Sequence, residues 1–155
     1  MRSARASDDA QMRALFAATT AAAAAAAWSA YDPERLASEY EQWRSGLPEE
    51  SVEVVALVRG EVVGHLVMHA GERITQVLAL RVRPSLRGRG IARALLAPVL
   101  SSARRSGREV EIRVPADAGL ALAASRSLGF TPYATDGAYV RVRAAERPDD
   151  SGPAR

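Results

Sequence analysis

Two periodicities of apolar residues divide the chain into helices and strands. Apolar side chains recur about every three to four positions in three stretches, as on one face of an amphipathic helix, and a fourth stretch is helical by composition. These predicted helices cover residues 7–27, Pro33–Ser45, Ile91–Arg105 and 118–128. Runs rich in β-branched residues or bounded by turn residues predict six strands, and weak alternation over residues 1–6 predicts a further, short edge strand. The predicted strands cover residues 1–6, 52–59, 62–70, Ile74–Val82, 110–114, 130–135 and 138–143.

The order of these elements predicts the fold class. Tight turns join three consecutive strands, so these strands are expected to be antiparallel. A strand–helix–strand unit follows, and its two strands are expected to be parallel, before a final hairpin turns at Asp136-Gly137. The chain is therefore predicted to be α/β, with a mostly antiparallel mixed sheet flanked by helices.

Two local features affect the helices. Ser7-Asp8-Asp9 predicts an N-cap followed by acidic residues in the first turn. Pro98 lies inside the third helical pattern, where it removes a backbone hydrogen bond. We expect a kink there, or an early end of the helix.

Composition limits the number of domains and the classes of protein to which the chain can belong. The 155 residues suffice for one domain, predicted over residues 1–143, and the polar end at 144–155 is typical of a disordered tail. The chain has no cysteine, and we find neither a signal-peptide pattern nor an apolar run of membrane-spanning length. These features favour a cytoplasmic protein that does not insert in a membrane.

Charge is concentrated in one part of the chain. The net charge is only +3, but the segment from Arg81 to Arg113 contains nine arginines and two glutamates. Such a strip suits a polyanionic ligand. Nucleic acid is a less favoured partner because no aromatic residues for base stacking are interleaved with the arginines.

The stretch LALRVRPSLRGRGIA, residues 78–92, joins a predicted strand to a predicted helix through a glycine-rich turn. A helix N-terminus presents unpaired N–H groups and partial positive charge, which together favour a phosphate. Gly88 and Gly90 allow close approach of a ligand to the backbone, and Arg87 and Arg89 add guanidinium donors. The spacing matches neither a P-loop nor a dinucleotide fingerprint. The alternative is a solvated basic loop that caps the helix.

Three motifs together resemble the GNAT acetyltransferase superfamily. They are Val82-Arg83-Pro84 at the strand end, Arg-x-x-Gly-x-Ala at residues 87–92, and Leu128-Gly129-Phe130 after the fourth helix. The resemblance implies a GNAT-like fold with splayed central parallel strands and acetyl-CoA as co-substrate. It also implies transfer of the acetyl group to a primary amine of a small-molecule or peptide acceptor, and it allows a homodimer.

The resemblance also implies binding residues. Leu80 and Val82 would contact the pantetheine arm through their backbone, although both also suit an ordinary core. The pyrophosphate would bind Arg87, Gly88, Arg89, Gly90, Ile91 and Ala92. The acceptor site would be lined by Trp28, Tyr31, Tyr133 and Tyr139. Tyr133 and Tyr139 could alternatively belong to the core.

The chain departs from the family pattern on the fourth helix. Ala118 and Ser125 stand where the family usually has an asparagine and a tyrosine, and the tyrosine is the usual general acid. Ser125 could hydrogen-bond the sulfur or hold a water, or it could simply be a small helix residue. Gln76 could position a water but cannot act as a base, and Glu72 lies too near a turn. No base is nominated, so a non-catalytic module that binds acetyl-CoA as a sensor or partner domain is the alternative function.

The two histidines do not predict a metal site. His65 and His69 face the same side of one strand, but zinc requires three or four ligands and no third is evident.

Overall fold

The computed structural model describes residues 1–26, 33–116 and 118–144. Its strands are β1 (Arg2–Ser3), β2 (Val52–Val58), β3 (Glu61–Ala70), β4 (Ile74–Val82), β5 (Glu109–Pro115), β6 (Phe130–Asp136) and β7 (Tyr139–Ala144). Its α-helices are α1 (Asp9–Ala26), α2 (Pro33–Ser45), α3 (Ile91–Arg105) and α4 (Gly119–Ser127). Short 3₁₀ turns at Ala6–Asp8 and Pro84–Leu86 precede α1 and follow β4.

The strands form one seven-stranded sheet in the order β1-β2-β3-β4-β5-β7-β6. Among the described strands, β4 and β5 pair in parallel and every other neighbouring pair is antiparallel. The prediction of a mostly antiparallel mixed sheet flanked by helices is therefore confirmed.

Helix α3 covers one face of the sheet and forms the main core. Its apolar stripe, with Leu95, Leu96 and Val99 fully buried, packs against residues of β3, β4 and β5. Gly64 of β3 lies directly under the start of this helix, where an added Cβ would be 2.9 Å from Cγ2 of Ile91. The missing side chain therefore lets the N-terminal turn of α3 lie close to the sheet.

The other face of the sheet is covered over β2–β4 by α1 and α2. Phe16, Tyr40 and Trp43 form an aromatic cluster whose neighbouring ring centroids are 5.4–6.0 Å apart. The Arg81 guanidinium lies over Phe16 and Trp43, at 4.8 and 4.3 Å from their ring centroids. Burial disfavours its charge and lowers the pKa of Arg81 to about 10.

Two local expectations are corrected. Helix α3 continues through Pro98 to Arg105, so the predicted early end is wrong. Pro98 is on the exposed side, while Leu95, Leu96 and Val99 hold the other side on the core. The carbonyl that loses its bond to Pro98 can therefore be hydrated.

The N-terminal strand is shorter than predicted, because β1 covers two residues. The 3₁₀ turn that follows ends at Asp8, whose carboxylate accepts hydrogen bonds from the Arg2 guanidinium and the Arg5 N–H. These bonds lower the pKa of Asp8 to about 2. At the other end, β7 includes Ala144, one residue beyond the predicted domain boundary, and residues 145–155 lie outside the described part.

Candidate functional site

The parallel strands β4 and β5 part halfway along their length. Their register runs from the Ile74–Glu109 pair to the Val77–Ile112 pair, and β4 then continues to Val82 without a partner in β5. The register with β3 leaves Leu78 as an extra residue in β4, which is a β-bulge. Because a bulge bends and twists its strand, it accounts for the divergence. The result is a gap in the middle of the sheet.

Backbone groups of β4 point into this gap. The Arg83 N–H donates to the Val63 carbonyl at 2.8 Å, so Arg83 belongs to the residues that bond β3. Successive residues of an antiparallel pair alternate between bonding the partner and facing away. Leu80 and Val82 therefore direct their N–H and C=O groups toward the gap. The Leu80 side chain packs on the main core at the same time, so the two predicted interpretations of Leu80 are compatible.

The glycine-rich loop ends at the N-terminus of α3. Gly88 and Gly90 have φ values of +75° and +79°, a left-handed conformation that side chains disfavour. Gly90 is the N-cap and supplies no side-chain cap, so the first N–H groups of α3 are left for an external acceptor. A Cβ added to either glycine would meet nothing within 4 Å. Arg87 and Arg89 are exposed and form no ion pair within the described ranges. The loop thus combines free N–H groups at a helix N-terminus with two arginines that have no ion-pair partner among the described residues, a combination that suits an anion.

A cavity of about 250 Å³ lies where β4 and β5 part. Its lining comes from β4, β5 and β7 and consists of Gln76, Val77, Leu78, Glu111, Arg113 and Tyr139. Alternate residues of β5 and β7 pack on the main core, so the side chains between them point away from α3. We call this side of β5, β7 and β6 the open face; it carries Glu109, Glu111, Arg113, Tyr133, Tyr139, Arg141 and Arg143.

Glu111 is the buried acid of the open face, with a relative exposure of 2%. Its Oε2 atom accepts hydrogen bonds from the Tyr133 hydroxyl and from Nε and Nη2 of Arg141, the last two at 3.1 and 2.7 Å. Its Oε1 atom is buried without a hydrogen-bond partner in the described part of the chain. Burial and the bond to Glu111 raise the pKa of Tyr133, so its hydroxyl remains a donor.

A second β-bulge aims Tyr133 at Glu111. In the pairing of β6 with β7, Pro132 opposes Val142 and Ala134 opposes Arg141, which leaves Tyr133 as the extra residue. The Arg143 guanidinium lies 4.0 Å from the centroid of its ring. The bulge thus places an aromatic residue over two arginines and a carboxylate.

The structure brings some of the predicted site residues together. Gln76 pairs with Glu111 across β4 and β5, so the two side chains share one face of the sheet. Tyr133 and Tyr139 lie partly exposed on the open face, at 36% and 43%, and not in the core. Trp28 and Tyr31 lie outside the described residues.

Ser125 is not among the residues that line this cavity. It is buried in α4, and its hydroxyl donates to the Leu122 carbonyl at 2.8 Å. A serine hydroxyl has one proton, so Ser125 would have to leave this bond to protonate a sulfur. Its predicted role as an acid is not supported by this contact and stays a prediction.

Glu111 lines the cavity, and the sequence analysis did not single it out. A signal was present, because Glu111 is a charged residue between the apolar Val110 and Ile112 of a central strand. Its side of the sheet and its distance from Gln76 depend on the register of β4 with β5, which the sequence alone does not specify.

The histidines have other partners or none. Nε2 of His65 lies 2.9 Å from Oε2 of Glu53, and burial lowers the pKa of His65 despite that carboxylate. His69 Nδ1 is buried without a partner in the described ranges. Among the described residues, no three histidine, aspartate or glutamate side chains lie close enough to hold a metal ion. No described helix is long and apolar enough to span a bilayer.

Solved structures with the same architecture define the class of fold. PaiA N-acetyltransferase from Thermoplasma acidophilum, solved in complex with coenzyme A, aligns with a TM-score of 0.71 and 16% identity, covering 90% of this chain and 94% of that one. The ribosomal-protein-S18-alanine N-acetyltransferase from Escherichia coli aligns with a TM-score of 0.64 and 16% identity, covering 96% and 95%. At these identities the matches show the fold, which is that of the GNAT acetyltransferases.

Sequence comparison gives the family itself. The model of the Acetyltransferase (GNAT) family matches residues 11–130, and the chain belongs to this family. A curated relative, mycothiol acetyltransferase from Amycolatopsis mediterranei (strain U-32), is 38% identical over 93 residues. The match covers 54% of this chain and 31% of the relative, so the chain matches less than a third of that relative's length.

Proposed function

We propose that this chain transfers the acetyl group of acetyl-CoA to a primary amine. The observation that supports this most is the gap between β4 and β5, which leads to an uncapped helix N-terminus. A long ligand with a diphosphate at one position and an amide-rich arm beyond it fits this combination. Membership of the GNAT family supports the same conclusion.

The residues of the gap suit coenzyme A chemically. The backbone of Gly88, Gly90, Ile91 and Ala92 would bind the diphosphate, with Arg87 and Arg89 as additional donors. The backbone groups of Leu80 and Val82 would pair with the amides of the pantetheine arm. Bound there, the coenzyme supplies a thioester, whose carbonyl carbon is open to attack by an amine.

The acceptor is proposed to reach the thioester from the open face. Tyr139 lines the cavity beside Leu78, and Tyr133 lies farther along the same face. Gln76 is at the same place and can position the amine or a water by hydrogen bonding. Holding amine and thioester in contact supplies a large part of the lowering of the barrier. The location of Trp28 and Tyr31 in the acceptor site, a homodimer and a cytoplasmic location stay predictions.

A non-catalytic module that binds acetyl-CoA is the second candidate. The observation in its favour is that α4 offers no free acid, since the Ser125 hydroxyl is donated to Leu122. A sensor would bind the coenzyme in the same gap and release no thiol.

A transfer assay separates these functions. The protein is incubated with acetyl-CoA and, in turn, butylamine, an amino acid, an aminoglycoside and a tetrapeptide with a free N-terminus. Thiol release and the acetylated amine are measured by absorbance and mass spectrometry, and acetyl-CoA binding is measured by calorimetry. We expect binding together with equal amounts of thiol and acetylated amine for at least one acceptor. Binding without release for every amine would favour the sensor, and absence of binding would contradict both functions.

A further inference from the structure

We infer that the acceptor carries a carboxylate, which binds in a second cavity next to the one where β4 and β5 part. The inference rests on the proposed function, and it narrows the acceptor to amines with a carboxylate at a fixed distance from the reacting nitrogen. We call this second cavity the His69 cavity. It is lined by His69, Gly71, Glu72, Arg73, Ile74 and Gln76.

The His69 cavity adjoins the gap between β4 and β5. Its volume is about 360 Å³, and its lining comes from the end of β3, the turn after it and the start of β4. Ile74 and Gln76 pair with Glu109 and Glu111 of β5, so their side chains lie on the side of the sheet that carries the open face. Gln76 lines both cavities. A molecule that reacts at the gap can therefore extend past Gln76 into the His69 cavity.

His69 has a ring nitrogen that is free for a ligand. No hydrogen bond or ion pair joins His69 to another described residue, and its Nδ1 atom is buried. A buried N–H without a partner is rarer in native structures than a buried acceptor without one. The neutral ring is therefore expected to carry its proton on Nε2, which leaves an N–H that can donate to a carboxylate oxygen.

The charges around the cavity favour an anion. Arg73 lines it, and Nε of Arg108 donates to the Glu72 carbonyl at 3.4 Å, which places a second guanidinium at the same turn. Neither arginine forms an ion pair within the described ranges. The acid among the lining residues, Glu72, is exposed to solvent. Two guanidiniums and an imidazole N–H beside one solvated carboxylate suit a carboxylate ligand.

The strand register sets the length of the acceptor. Gln76 has His69 as its neighbour on β3 and Glu111 as its neighbour on β5. A thioester beside Leu78 is then separated from His69 by one to two strand spacings, roughly 5–10 Å. One residue of extended chain spans about 3.5 Å, so glycine is too short and a chain of about two residues fits.

Two pairs of acceptors test this inference with the wild-type protein. The long pair is 6-aminohexanoate and 6-aminohexanamide, whose chains are about as long as two extended residues, roughly 7–8 Å. The short pair is glycine and glycinamide. Within each pair the amide replaces the carboxylate by a neutral group of the same size. We measure kcat and KM for each compound with saturating acetyl-CoA.

We expect wild type to prefer 6-aminohexanoate over its amide by at least about tenfold in kcat/KM, the effect of a charge-assisted hydrogen bond. The difference should lie mainly in KM, because the carboxylate binds away from the reacting atoms. Glycine should not be preferred over glycinamide, because its carboxylate cannot reach the His69 cavity.

Three variants locate the carboxylate. Arg73→Gln and His69→Leu each remove a donor of the cavity, and both should reduce the preference for 6-aminohexanoate to about twofold or less by raising its KM. Arg59→Gln is the matched control, since Arg59 is also an exposed arginine in a turn, at the other end of β3. It should keep the wild-type preference. Thermal melting checks that all three variants are folded, and Arg73→Gln changes an exposed side chain.

Three results would overturn the inference: no preference of wild type for 6-aminohexanoate over its amide, a preference that Arg73→Gln retains in full, or a preference that Arg59→Gln loses as well. The proposed function is tested separately by the amine panel. If other amines are acetylated but the long carboxylate is not favoured, the inference alone fails. If no amine is acetylated, the proposed function fails and the inference fails with it.

Discussion

At the scale of single residues, the two glycines that flank α3 allow a strained backbone position to be compared with and without a proposed ligand contact. Gly90 caps the N-terminus of α3 and Gly107 follows its C-terminus, and both have positive φ, +79° and +63°. An added Cβ would meet no atom within 4 Å at either position. The backbone strain of a side chain is therefore similar at both, about 1–2 kcal/mol, but only Gly90 lies in the anion site.

We expect Gly90→Ala to weaken acetyl-CoA binding much more than Gly107→Ala. The methyl group would stand where the diphosphate approaches the backbone and would disturb hydrogen bonds to a charged group, each worth about 1.5–3 kcal/mol. A loss of at least about tenfold in affinity should follow. Calorimetric titration with acetyl-CoA measures it, and thermal melting of both variants controls for the shared strain. Equal affinities in the two variants would contradict the assignment of the loop.

The sequence predicted the residues of the glycine-rich loop better than the residues that line the cavity between β4 and β5. Gly88 and Gly90 are recognisable because their motif is local, and the backbone direction of Leu80 and Val82 supports the role implied for them. Glu111 could not be recognised in the same way. Its importance depends on two β-bulges, a strand register and a free oxygen, all of which arise only in the folded sheet.

At the scale of elements, the approach of α3 to the sheet positions the anion loop. Gly64 makes the approach possible, since a Cβ there would lie 2.9 Å from Cγ2 of Ile91 and 3.0 Å from Cδ1 of Leu95. Ile91 is β-branched and stiff within a helix, so it cannot easily turn away. The first turn of α3 and its free N–H groups are thus held at a fixed distance from β4.

We expect Gly64→Ala to destabilise the protein by about 1–3 kcal/mol through overpacking. The same change should weaken acetyl-CoA binding, because the start of α3 must move outward. Ile91→Ala in the same chain should remove part of the clash, so the double variant should be less destabilised than the two single changes added together. Chemical denaturation gives the free energies of unfolding of the two single variants and the double variant.

Gly119→Ala, where a Cβ meets nothing within 4 Å, is the control and should not destabilise the protein. Strict additivity of Gly64→Ala and Ile91→Ala would contradict this account of the packing.

The elements themselves follow closely from the spacing of apolar residues. Predicted and observed limits agree for α2, β4 and α3. The differences arise where tertiary contacts override local preference. Burial of one side of α3 carries the helix through Pro98, and just after β1 the Arg5 N–H donates to the Asp8 carboxylate and not to a neighbouring strand. The bulges at Leu78 and Tyr133 were not predicted, because they depend on the register between neighbouring strands.

At the scale of the whole molecule, the sheet separates two approaches to one gap. The backbone of β4 and the start of α3 present N–H groups and arginines, which suit the coenzyme. The open face presents a buried carboxylate and two tyrosines next to Gln76 of β4, and these groups suit an ammonium acceptor. The parting of β4 from β5 is where the two approaches meet, and the fold thus supplies the site that the proposed transfer needs.

A crystal structure of the protein with acetyl-CoA tests this account most directly. We expect the diphosphate within hydrogen-bond distance of backbone N–H groups of residues 88–92, and the pantetheine arm between β4 and β5 against Leu80 and Val82. The thioester should lie beside Leu78, with Oε1 of Glu111 facing it across the cavity. A coenzyme bound elsewhere, or a thioester that points away from the open face, would contradict the account.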